Sequence, residues 1–124
     1  MTRCLGLRGA TTADANTREA ILTATEELMR AVVEANAIAE DDVAAVFLTM
    51  TTDLDAEFPA VAVRVGMGWE HTALMDAVEV PVPGSAERVI RVMLLVNTKK
   101  GKHELVHVYL KGARNLRSRG PANT

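Results

Sequence analysis

Two stretches of this chain are apolar on both faces of an extended strand, yet only one stretch patterns as a long amphipathic helix able to cover them. Arg88 to Val96 reads Arg-Val-Ile-Arg-Val-Met-Leu-Leu-Val. It is rich in β-branched residues and free of Gly and Pro, which predicts a strand. Alternation places Val89, Arg91, Met93 and Leu95 on one face and Ile90, Val92, Leu94 and Val96 on the other. Val43 to Met50 (Val-Ala-Ala-Val-Phe-Leu-Thr-Met) has the same two-faced character. A single helix covers one face of a sheet, so the second face would lie open in a monomer. An apolar surface of that size marks an interface, and we expect an oligomer whose subunits pack on it. Arg91 is the exception on its face, where an unpartnered charge would be costly. It either reaches solvent or pairs with a neighbouring carboxylate, or it points into a pocket for an anion.

The length, 124 residues, allows one domain with a real core. Aromatic residues are only 3%, so that core must be aliphatic. The net charge of −2 does not suggest a nucleic-acid partner. The charge is uneven, however: residues 1–62 hold 4 basic and 11 acidic side chains, and residues 63–124 hold 10 and 5. Basic groups gathered beside apolar strands make either a general basic surface or a convergence on a small anion. Cys4 is the single cysteine, so neither an internal disulfide nor a cysteine metal cluster is expected. Its place in a strand suggests a small buried hydrophobe. No signal peptide is expected, because Arg3 and Arg8 interrupt the short apolar start. No apolar run approaches the ~20 residues of a membrane span. Neither membrane nor nucleic-acid partners are therefore expected, and a cytoplasmic location is.

In chain order, Arg3–Ala10 predicts a first strand. A helix follows with Asn16 as N-cap and Glu19 as its capping-box partner. Ile21, Ala24, Thr25, Leu28, Val32 and Ala35 form its apolar face, and Asn36 suits a left-handed end. After the second strand, Pro59 opens a short helix that Gly66 or Gly68 ends. Thr72–Met75 predicts a short strand, with Asp76 and Glu79 beyond it. Lys99–Lys102 is a basic turn, and Glu104–Tyr109 predicts a last strand, hairpin-paired with the central one. Lys111–Leu116 suits a helical turn. The expected organisation is one domain over residues 1–117 and a flexible tail over 118–124. The fold class is α+β: a mixed five-stranded sheet, one long helix and short helical turns.

The common catalytic devices are missing. Ser85 and Ser118 lack the surroundings of a nucleophile elbow. His103 and His107 are four apart, too widely spaced on a strand to chelate well, and no further ligands adjoin them. Gly66-Met67-Gly68 lacks the pattern of a phosphate loop. A metal is not expected. What remains is Arg8, Arg64, Arg91 and Arg117, with Glu79 and the Tyr109 hydroxyl. Arginine suits forked recognition of carboxylates. Several arginines and few bases suggest a dianionic substrate and a reaction driven by electrostatics more than by proton transfer.

Five segments together resemble a known family. They are Leu7-Arg8-Gly9-Ala10-Thr11-Thr12; Phe58-Pro59-Ala60 with Ala62-Val63-Arg64 and Gly68-Trp69; Glu79 before Val82; Ile90-Arg91-Val92-Met93; and His107-Val108-Tyr109-Leu110 with Leu116-Arg117. In this order and spacing they are similar to the free-standing, trimeric chorismate mutases of the mixed α/β class. The resemblance spans Arg3 to Arg117. It implies a homotrimer with a pseudo-α/β-barrel core and active sites at the subunit interfaces. It also implies conversion of chorismate to prephenate, in phenylalanine and tyrosine biosynthesis, by a concerted rearrangement without cofactor.

The resemblance further assigns roles. Arg91 would place its cation on the ether oxygen as the C–O bond breaks. Glu79 would hold the substrate hydroxyl and face the electron-poor ring. Arg8 and Tyr109 would bind a carboxylate. Phe58, Ala60 and Arg64 would come from the neighbouring subunit, Met75 and Asp76 would lie near the substrate, and Arg117 would close over it. Val61 stands where a lysine is expected, and Asp76 where a cysteine is. A second carboxylate near Glu79 would weaken dianion binding. Two rival readings are a trimeric imine deaminase and a non-catalytic trimeric sensor of a dicarboxylate.

Overall fold

The structure is a computed structural model and describes residues 1–116. Its main elements are β1 (Arg3–Thr12), α1 (Arg18–Asn36), β2 (Val43–Met50), β3 (Ala73–Val78), β4 (Val89–Thr98) and β5 (Val108–Tyr109). The five strands make one mixed sheet in the order β3-β2-β4-β1-β5. The stretch with the strongest two-faced pattern, β4, is the middle strand. It runs antiparallel to both β1 and β2, while β3 lies parallel to β2 and β5 parallel to β1.

Helix α1 packs on one sheet face. Leu28, Met29 and Val32 of α1 meet Leu7, Val46, Leu48, Val92 and Leu94 in a single buried cluster. A close approach at Gly9 allows this seating: a Cβ there would lie 2.9 Å from Val32 Cγ2 and 3.1 Å from Leu28 Cδ1. The other face stays open in one chain. Register aligns Arg8, Met93, Phe47 and Met75 in one row across it, and Ala10, Arg91, Thr49 and Ala77 in the next. Phe47 is 38% exposed, Met93 42% and Met75 60%, so an apolar row faces outward. One end of this face is covered by the chain itself, where Leu116 and Ala113 pack on Ala10 and Val89. Leu116 therefore anchors the chain immediately before Arg117. Arg117 and the expected tail lie outside the described residues.

Several local expectations change. The N-cap of α1 is Thr17, whose hydroxyl accepts from the Ala20 amide at 3.1 Å. Asn16 instead ties down the loop at residues 55 and 56, accepting from both amides and donating to Asp55. The left-handed end falls on Ala37 (φ 52°), because the Asn36 amide is buried and used elsewhere. Ala35 is exposed and lies off the apolar face, and Cys4 is exposed too. β3 continues through Asp76 to Val78. The expected hairpin of β4 with a last strand over Glu104–Tyr109 is not formed. Residues Lys102–Glu104 make a 3₁₀ turn, and only Val108–Tyr109 form a strand, paired with β1 instead. Pro59 does open a short helix, which widens into a π-turn over Ala62–Gly66.

Candidate active site

Arg91 stands on the open face of β4, opposite Thr49 of β2 and Ala10 of β1. The apolar strand forces its guanidinium to find an anion, and Glu79 supplies one. Arg91 Nε lies 2.9 Å from Glu79 Oε2 and 3.1 Å from Oε1. Glu79 sits one residue past β3, its amide donating to Met50 O at 2.9 Å, so the β2–β3 ladder fixes where its side chain starts. The Thr49 hydroxyl donates to Glu79 Oε2 at 2.7 Å. The carboxylate is thus held from two strands, and it orients the guanidinium from the Nε edge.

Two adjoining clefts share Thr49 and Arg91. One, of about 360 Å³, is also lined by Arg8, Phe47, Met93 and Tyr109. The other, of about 480 Å³, is lined by Glu79, Val80, Val82 and Ser85 among others. A small anion entering the first would meet two guanidinium groups, a phenol and an apolar floor. The arrangement suits a compact dianion with an apolar skeleton.

Of the residues expected at the site, Arg8, Arg91, Tyr109 and Glu79 are brought together in one chain. Phe58, Ala60 and Arg64 are not. Phe58 lines a separate cleft with Pro59, Asp76 and Val78, and it is 67% exposed. Arg64 is exposed on the π-turn. Met75 shares the apolar row of the open face but lies on β3, beyond Phe47.

Asp76 is directed away from the Arg91–Glu79 pair. It is paired with buried Leu48, on the α1 side of the sheet, and its Oδ1 accepts from the Ala60 amide at 3.1 Å. Burial raises its pKa above the ordinary 3.8, and the Ala60 hydrogen bond offsets part of that. In this position it braces the turn that carries Phe58 and Ala60, so the carboxylate crowding feared beside Glu79 does not arise within one chain.

Sequence patterns did not reveal the part played by Thr49 or His107. Thr49 is visible only once register places it beside Arg91. His107 Nδ1 accepts the Arg8 amide at 3.0 Å, a contact across 99 positions of sequence. His107 thus holds the main chain of a cleft residue, which explains its presence better than metal binding does.

The comparisons with known proteins agree with one another. A sequence profile described as chorismate mutase type I matches residues 4–119. The chain is 48% identical over 113 residues to the AroH chorismate mutase of Thermus thermophilus, covering 90% of this chain and 92% of the relative. It is 40% identical over 106 residues to the AroH chorismate mutase of Bacillus subtilis strain 168, covering 86% and 84%. Among solved structures, a chorismate mutase from Clostridium thermocellum superposes with a TM-score of 0.88 at 49% identity, covering 90% of this chain and 99% of that one.

Proposed function

Since this chain belongs to the chorismate mutase type I family, we propose that it converts chorismate to prephenate, a step toward phenylalanine and tyrosine. The reaction is an isomerisation. One C–O ether bond breaks while one C–C bond forms, and no atom is gained or lost. It needs the flexible substrate held in a chair-like shape, which removes most of the entropic barrier. It then needs charges complementary to a transition state that is negative on the ether oxygen and positive on the ring.

The observation that carries this reading is the Arg91–Glu79 pair, 2.9 Å apart beside a cleft shared with Arg8 and Tyr109. Arg91 meets the ether oxygen as negative charge gathers there. Glu79 takes the substrate hydroxyl and faces the electron-poor ring. Arg8 and Tyr109 hold a carboxylate. Both charges are fixed by strands before substrate arrives, so little reorganisation is required during bond breaking.

The working unit in this reading is a homotrimer. Its support is the open sheet face with exposed Phe47, Met75 and Met93, and the separation of Phe58 and Arg64 from Arg91 within one chain. A neighbour's Phe58, Ala60 and Arg64 complete the cleft, and Arg117 closes it. The enzyme works in the cytoplasm. No helix among the described residues is long and apolar enough to cross a membrane.

The test is an ultraviolet assay of chorismate loss with the purified protein, the product identified as prephenate. Catalytic loss with stoichiometric prephenate is expected. Chorismate bound without turnover would replace this reading with a binding protein, and turnover of imines alone would replace it with a deaminase.

A further inference from the structure

β5 is short for the task it carries. Its residues Val108 and Tyr109 pair with Gly9 and Ala10 of β1, and that pairing sets where the Tyr109 phenol meets the cleft. On the far side the ladder continues, with the Leu110 amide donating to Ala10 O at 2.9 Å. On the near side the Arg8 amide donates to a side chain. The imidazole of His107 takes it, Nδ1 accepting at 3.0 Å. An amide can only donate, so Nδ1 must present a lone pair. The ring is therefore neutral with its proton on Nε2. Partial burial and the nearby Arg8 charge both disfavour the protonated ring.

A second clamp lies just upstream. The buried Asn36 amide accepts from Val106 N at 2.8 Å and donates to Val106 O at 2.9 Å. It pins the strand's approach to the end of α1. His107 then joins that pinned segment to β1 at the residue that carries a cleft arginine.

We propose that His107 is a positioning residue, whose ring, by accepting the Arg8 amide, fixes the register that brings Arg8 and Tyr109 to the same cleft. It touches no substrate; it acts through the main chain of Arg8 and through β5. The proposal rests on the chorismate mutase reading for its kinetic consequence, but not for its structural one.

The kinetic test uses His107→Leu, which keeps bulk without an acceptor, and His107→Asn, whose side-chain oxygen can stand where Nδ1 does. If Arg8 and Tyr109 bind a carboxylate equally in ground and transition states, their misplacement raises KM more than it lowers kcat. His107→Leu is expected to raise KM about tenfold, the scale of one partly buried hydrogen bond left unmade. His107→Asn should restore KM to near that of the unaltered enzyme. A wild-type KM in His107→Leu, or equal impairment in both variants, would overturn the proposal.

The structural test needs neither substrate nor variant. Nitrogen-15 spectra of the unaltered protein at neutral pH should show His107 Nδ1 unprotonated and coupled to the Arg8 amide. A proton on Nδ1 would overturn the proposal, even in an active enzyme. If chorismate is not turned over, only the functional reading falls, and the spectra still decide the role of His107.

Discussion

Arg91 and Glu79 lie twelve positions apart in sequence, yet each is placed by a different strand and both reach one point on the sheet. Arg91 stood out from pattern alone, because a charge inside a two-faced apolar strand needs either solvent or an anion, and its ion pair with Glu79 is the second of these. Removing its charge while keeping its shape should test whether that answer extends to the reacting bond. Replacement of Arg91 by citrulline is expected to lower kcat by roughly a hundredfold to a thousandfold, the usual cost of one preorganised group, with the fold intact by thermal melting. Near-normal kcat would reduce Arg91 to a satisfied strand residue. Asp76 was less legible. Alternation states that neighbours face opposite ways but not which way is inward, and only its register with Leu48 sends it to the α1 side. Its consequence is a pH effect on stability. The unfolded chain releases the Asp76 proton near the ordinary 3.8, and the folded chain only at higher pH. Between those points the folded state holds more protons, so this group's contribution to stability falls as pH rises. Asp76→Asn keeps an acceptor for the Ala60 amide without the charge. It should melt above the unaltered protein at neutral pH, with the gain vanishing in acid below the ordinary carboxylate range. A lower melting point at neutral pH would mean that the carboxylate charge is itself wanted there.

At the scale of elements, what could be read in advance was whatever carries its own periodicity. β4, β2 and α1 are long enough for alternation or helical spacing to identify them, and each is found where expected. β5 fails for the same reason reversed. As a two-residue strand it has no period, and its partner lies about a hundred positions earlier. A basic turn after β4 suggested a hairpin, but the 3₁₀ turn at Lys102–Glu104 and the Asn36 clamp redirect the chain across the end of α1 to the far side of β1. The caps of α1 shifted by one residue because Asn16 and Asn36 both found tertiary partners, which local propensity cannot foresee. The α1–β1 contact makes a sharp prediction at Gly9. A methyl group there would press on Val32, Leu28 and Val92 at 2.9, 3.1 and 3.2 Å. These are side-chain atoms that can yield a little, so overpacking, not collapse, is the expected result. Gly9→Ala should cost about 1–3 kcal/mol in denaturant unfolding. An unchanged midpoint and slope would show that α1 can lift from the sheet without penalty.

For the whole molecule, one chain gathers only some of the residues proposed for the site. Arg8, Arg91, Tyr109 and Glu79 gather on the open sheet face, while Phe58 and Arg64 stand exposed elsewhere. Two-faced strands and a single long helix suggested an oligomer in the sequence, but which residues a neighbour would supply is a matter of assembly geometry that no strand pattern encodes. If the proposed trimer closes by a rotation that brings each chain's Arg64 to its neighbour's Arg91, two inactive variants should repair each other. Arg91→Ala chains retain Arg64, and Arg64→Ala chains retain Arg91. Refolded together in equal amounts, they form interfaces at random, and about one interface in four joins an intact Arg91 to an intact Arg64. The mixture should regain roughly that share of activity, while each variant refolded alone does not. A doubly substituted chain, mixed with either variant, supplies the control. It lacks both arginines, so none of its interfaces with the single variants can be complete. Sedimentation of the mixture should show trimers. Trimers without recovered activity would place each site inside one chain, and a stable monomer at micromolar concentration would remove the shared site altogether.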